Sequence, residues 1–111
     1  MSDRISELHA EICKTLGSPA RIEILNALRD RERTVGELTE ALGLRQANVS
    51  QHLAVLRQRR VVTTRKEGTS IFYRVSNPKI IQACRLMREV LIEQLKETQE
   101  LAVIATKPRA R

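Results

Sequence analysis

The feature that most constrains this chain is a change of period near Arg60. Before it, apolar residues recur every three or four positions, the spacing of helices with one buried face. After it come two short runs rich in Val, Thr, Ile, Phe and Tyr, Val61 to Lys66 and Thr69 to Val75, joined across Glu67-Gly68. Branched and aromatic residues flanking a glycine-containing turn predict a two-stranded hairpin.

The helical part divides at its own punctuation. Ile5, Leu8, Ile12 and Leu16 predict a first helix over 4–16, ending at Gly17. Ser18-Pro19 reads as an N-cap followed by proline at the first helical position. That second helix is expected to run to about Asp30 and to bury Ile22, Leu25 and Leu28. The charged, unpatterned stretch Arg29 to Arg33 is a connection. A third helix follows from Thr34 to Leu42, with Val35, Leu38 and Leu42 inward, Glu37 and Glu40 outward, and Gly43 as its C-capping glycine. A fourth runs from Gln46 to Gln58 over Val49, Leu53 and Leu56. Beyond the hairpin, Asn77-Pro78 repeats the cap-plus-proline signal and opens a long final helix to about Val103.

The order is therefore α-α-α-α-β-β-α, mainly α with a β-hairpin wing. Two short helices across a tight turn, followed directly by a hairpin, form the winged helix-turn-helix plan. Residues 1–106 are expected to make one domain, and the basic tail 107–111 is expected to fray.

Composition narrows the partners. A chain of 111 residues suits one domain. One Phe, one Tyr and no Trp suit helix packing better than a sandwich or barrel. So small a domain gains from extra burial through dimerisation. Twenty Lys and Arg against thirteen Asp and Glu give a formal charge of +7, which points to a polyanionic partner. No apolar run approaches the ~20 residues that span a bilayer, and the polar, mixed-charge start is no signal peptide. Two cysteines do not make a secreted disulfide framework. A cytoplasmic protein without a membrane partner is expected.

The turn and second helix of the helix-turn-helix carry the chemistry. A reading helix must present side chains able to reach base edges. The positions expected to be exposed here are Arg45, Gln46, Asn48, Ser50, Gln51 and His52. Arg, Gln and Asn pair bidentately with guanine or adenine in the major groove. An ordinary solvated helix carries Glu–Lys pairs, yet residues 45–60 contain no acid and hold Arg45, Arg57, Arg59 and Arg60. Arg65, Lys66 and Arg74 make the hairpin cationic, as a contact to phosphate or minor groove requires. Double-stranded DNA is the expected partner, with Arg45, Gln46, Asn48, Ser50, Gln51, His52, Arg57, Arg65 and Lys66 as candidate contacts.

Four stretches resemble the ArsR/SmtB family of prokaryotic metal- and stress-responsive repressors: 16–25 (LGSPARIEIL), 35–38 (VGEL), 46–56 (QANVSQHLAVL) and 68–75 (GTSIFYRV). The likeness covers about residues 5 to 95. It implies a homodimer formed through the first and last helices, binding an imperfect inverted repeat near a promoter, with Gln46, Ser50, Gln51 and His52 at the DNA-contacting positions. It also implies where metals would sit. The thiolate positions of the site that opens the third helix fall on Thr34 and Gly36. The carboxylate and histidine positions of the site on the last helix fall on Asn77, Lys79, Val90 and Glu93, of which Glu93 alone is a competent ligand. Neither usual metal site is intact, and no cofactor is implied.

Cys13 and Cys84 lie on the two helices that the resemblance assigns to the dimer contact, and His9 shares a helical face with Cys13. Three readings stand. The pair is a thiol redox switch; or, with His9, it is a soft-metal or arsenical site; or both are buried small apolar residues, as Cys84 on the stripe Ile80, Cys84, Met87, Leu91 suggests. Operator affinity of Cys13→Ser and Cys84→Ser with and without oxidant separates them. Two other function classes compete with a repressor. A winged-helix protein-interaction module calls for a neutral or acidic recognition face. An enzyme calls for a nucleophile-elbow, P-loop or zinc-peptidase spacing, and the sequence has none.

Overall fold

The computed structural model describes residues 3–98. Five helices and a hairpin follow one another in the expected order: α1 Arg4–Thr15, α2 Pro19–Ala27, α3 Val35–Leu42, α4 Gln46–Gln58, β1 Val62–Glu67, β2 Ser70–Val75 and α5 Pro78–Thr98. The last expected turn of α5, to Val103, and the tail at 107–111 lie outside the described residues.

Local chemistry sets the helix ends. The carboxylate of Asp3 accepts from the Ser6 amide at 2.6 Å and starts α1. Ser18 caps α2, with Pro19 just inside it. Thr34 and Glu37 form a reciprocal capping box at the start of α3: the Glu37 amide donates to Thr34 Oγ1, and the Thr34 amide to Glu37 Oε1. Gly43 stops α3 in the left-handed region, at φ 66°. α4 ends in a Schellman motif: the Val61 amide donates to the Leu56 carbonyl and the Arg60 amide to that of Arg57. Arg60 occupies its left-handed position, at φ 60°, where glycine is usual.

The core gathers Ile24, Leu25 and Leu28 of the α2 segment, Leu38 and Leu42 of α3, Val49, Leu53 and Leu56 of α4, then Val61, Val62 and Ile81. α4 packs against α2, α3 and β1, and α5 docks on α2. β1 and β2 pair antiparallel, with Val62 opposite Val75 and Glu67 opposite Ser70. The connecting loop is Gly68-Thr69, and Gly68 supplies the positive φ that so short a loop needs.

Two expectations are corrected. α2 ends at Ala27, three residues early, because the Leu28 amide closes onto the Ile24 and Leu25 carbonyls and Leu28 turns into the core. Ile22 is 38% exposed while Ile24 is fully buried. Leu25 and Leu28 are buried as expected, and because α2 is apolar on more than one side, spacing alone puts Ile22 inward in place of Ile24. The connection expected over 29–33 is observed, and at its end Arg33 and Tyr73 exchange backbone hydrogen bonds of 3.0 and 2.8 Å, adding a one-residue third strand beside β2. Arg33 Nε also donates to the Ala27 carbonyl at 2.7 Å.

Two faces remain apolar and uncovered in the protomer. On α1 they are Ile5, Leu8 and Ile12; on α5, Leu86, Met87, Val90 and Leu91. The stripe expected to be buried on α5 is therefore only partly so: Ile80 and Cys84 are half-buried, but Met87 and Leu91 are open. α5 meets its own protomer through Ile81 instead.

Candidate nucleic-acid interface

α4 is anchored by Val49, Leu53 and Leu56, each with no exposed surface. Helical periodicity then turns Gln46, Asn48, Ser50, Gln51 and Arg57 outward, and these five and the N-cap residue Arg45 are exposed. Among the described residues these six side chains make no hydrogen bond or ion pair within the chain. Their donors and acceptors are open to an incoming partner. The turn through Gly43 and Leu44 sets α3 against α4.

Three residues singled out in the sequence are engaged elsewhere. His52 is half-buried rather than open, and its Nδ1 accepts from Arg21 Nε at 3.2 Å. The same guanidinium donates from Nη1 to the Thr15 carbonyl at 3.1 Å, tying α4 through α2 to the end of α1. Arg59 pairs with Glu11 on α1 at 3.0 Å. Arg65 is held by Glu32 and Glu67, whereas Lys66 is exposed and has no partner among the described residues. Arg74 is exposed and donates to Thr63 Oγ1 at 3.3 Å.

The His52 contact carries a pH dependence. Burial, and then the charge of Arg21, push the His52 imidazole below its usual range. Protonation removes the acceptor that Arg21 uses and sets two cations side by side. The folded state resists this proton more than the unfolded state does. Stability is therefore expected to hold above the unfolded value near 6.5 and to fall as pH drops through the window below it, down to the folded value. Urea midpoints at about pH 7.5 and 5.5 measure the loss. His52→Asn, which keeps an acceptor near Nδ1 but does not titrate, is expected to narrow the gap between the two midpoints. An unchanged gap removes His52 from the account.

The candidate effector residues are dispersed. His9 and Cys13 are exposed on α1, and Cys84 is half-buried on α5. Cys13 thus departs from the buried-apolar reading within the protomer. Burial pushes the Cys84 thiol up. Thr34 Oγ1 is occupied by the capping box, and Asn77 Oδ1 accepts from the Lys79 amide. Among the described residues no three His, Cys, Asp or Glu side chains gather as a metal would require.

The recognition helix, the hairpin beside it and the helices that hold both define a winged helix-turn-helix regulator. Residues 18–64 match the family model described as bacterial regulatory protein, arsR family. The chain is 41% identical over 97 residues to the uncharacterized HTH-type transcriptional regulator Rv0081 of Mycobacterium tuberculosis, covering 86% of this chain and 85% of that one. The crystal structure of Rv0081 superposes with a TM-score of 0.78 over 87% of this chain and 98% of that one. The biofilm growth-associated repressor of Xylella fastidiosa is 35% identical over 97 residues, with 87% and 84% covered. The solution structure of the homodimeric winged helix-turn-helix domain of Mb0332 from Mycobacterium bovis has a TM-score of 0.77 at 29% identity, over 87% of this chain and 93% of that one. The chain belongs to the arsR family of bacterial regulatory proteins.

Proposed function

We propose that the protein is a homodimeric transcriptional repressor that reads an inverted-repeat operator, one half-site per α4. The observation that carries this is the open face of α4: Gln46, Asn48, Ser50 and Gln51 unpaired and exposed, flanked by Arg45 and Arg57, with no acid from 45 to 60. Amides at those positions suit base edges, and the arginines suit phosphate. Lys66 and Arg74 extend the cationic surface onto the hairpin.

The second copy belongs on the uncovered faces of α1 and α5. Large apolar side chains clustered in the open on two helices are an interface signature, and the Mb0332 domain is homodimeric. Repression follows the named activity of the Xylella relative, with occupancy of the operator as the block.

Release by an effector completes the reading. A thiol oxidised at Cys13 or Cys84 lies on the helices assigned to the dimer contact and would alter the spacing of the two α4 helices. Cys13 is the more exposed of the two thiols in the protomer, and burial pushes the Cys84 thiol up. The serine variants' response to oxidant tests this branch.

Selection from a random duplex library tests the whole. The wild type is expected to enrich a pseudo-palindrome, and Gln51→Ala to weaken binding to that sequence by about 1–3 kcal/mol for each lost base contact. A scrambled duplex is expected to be bound equally by both. Enrichment of no sequence overturns the proposal.

A further inference from the structure

Arg65 is gripped from two sides. Its Nε donates to Glu32 Oε1 at 2.9 Å, its Nη2 donates to the same oxygen, and its Nη1 donates to Glu67. Its guanidinium carbon sits 4.7 Å from the centre of the Phe72 ring, within cation–π range.

The register of the hairpin explains the grip. Arg65 stands opposite Phe72 and Thr63 opposite Arg74, so these four side chains share the outward face, while Val62 and Val75 serve the core. The backbone pairing of Arg33 with Tyr73 lays the preceding residue, Glu32, along the same face. The hydrogen bonds from Arg65, then the charges of Arg65 and Arg74, hold the Glu32 carboxyl below the usual range, so it is ionised at neutral pH. One cation thus faces two carboxylates. Lys66, the next residue along, has no partner among the described residues.

We propose that Glu32 is a positioning residue that masks Arg65, withholding one wing cation from DNA phosphates and so lowering affinity for any sequence. The proposal rests on the DNA-binding reading above. Each cation placed on a phosphate releases counterions and adds affinity irrespective of sequence. A guanidinium with three of its five N–H donors on carboxylates, its charge matched by theirs, supplies less of that gain unless the grip opens. Glu32 lies on neither α4 nor the hairpin, so it sets binding strength without touching base readout.

The test is a double-mutant cycle on two duplexes, one selected by the wild type and one scrambled. Glu32→Gln is expected to raise affinity for both by about threefold to tenfold at about 0.1 M salt, leaving their ratio unchanged. The plot of log affinity against log salt is expected to steepen by about 0.9 for each added phosphate contact. In an Arg65→Gln background the same substitution is expected to lose most of its effect. An equal gain in that background means a mere change in overall field and overturns the proposal, as does an unchanged salt slope. In the DNA-free protein, the Arg65 Nε proton is expected to exchange with water more slowly than in Glu32→Gln, and equal rates also overturn it. If the wild type binds neither duplex, the DNA-binding reading itself falls. If it binds and the cycle shows no coupling, only the mask does.

Discussion

Met87→Glu is expected to convert the protein to a monomer at micromolar concentration and to cut operator affinity by about a hundredfold or more. Met87 is 69% exposed in the protomer, with Leu86, Val90 and Leu91 exposed around it on the same helix. A carboxylate there costs the isolated chain little. Across an apolar contact it is buried without a partner, which costs about 3–5 kcal/mol. An isologous interface meets the charge twice, because each protomer supplies it. The affinity loss follows from geometry: two α4 helices on one rigid body make the second half-site contact intramolecular, and separate protomers lose that advantage. Sedimentation measures the assembly, and circular dichroism is expected to show the helices intact. A variant that stays dimeric places the twofold contact elsewhere.

The sequence specifies this fold clearly where local chemistry acts over short range. Ser18-Pro19, Thr34 with Glu37, and Gly43 each commit the backbone within a few residues, and each helix start or stop they mark is observed. The hairpin was legible for the same reason, since β-branched runs and Gly68 act locally. What escaped the sequence depends on partners far along the chain. Arg21 reaches His52 across 31 positions, and Glu32 reaches Arg65 across 33. Residue type alone gave both His52 and Arg65 to DNA, because a polar side chain on a recognition element looks free until its neighbours are known. A signal for the second grip was nonetheless present. The hairpin register sets Arg65 opposite an aromatic ring, and Glu32 is one of two acids in the connection before α3. The apolar faces of α1 and α5 illustrate the opposite ambiguity. Their periodicity announces burial but cannot say against what, and within the protomer those faces stay open.

That distinction makes neighbouring positions on α4 behave in opposite ways. Leu53→Ala is expected to lower stability by about 2–5 kcal/mol, through lost transfer energy and the cavity left behind. Leu53 has no exposed surface, and its helix packs against α2, α3 and β1 at once, so no single element can close in to fill the space. Against a total of about 5–15 kcal/mol, this leaves a substantial unfolded fraction at moderate temperature. The urea midpoint is expected to fall with the slope unchanged, at fixed protein concentration because dimerisation contributes to it. Leu53→Met, which nearly conserves volume, is expected to cost under about 1.5 kcal/mol. Gln51→Ala, two residues earlier and exposed, is expected to leave the midpoint within about 0.5 kcal/mol of wild type while losing operator affinity. A Leu53→Ala protein as stable as the parent means that α4 is not fixed by this core. The outward placement of Asn48 and Gln51, which derives from the burial of Val49, Leu53 and Leu56, then loses its physical basis.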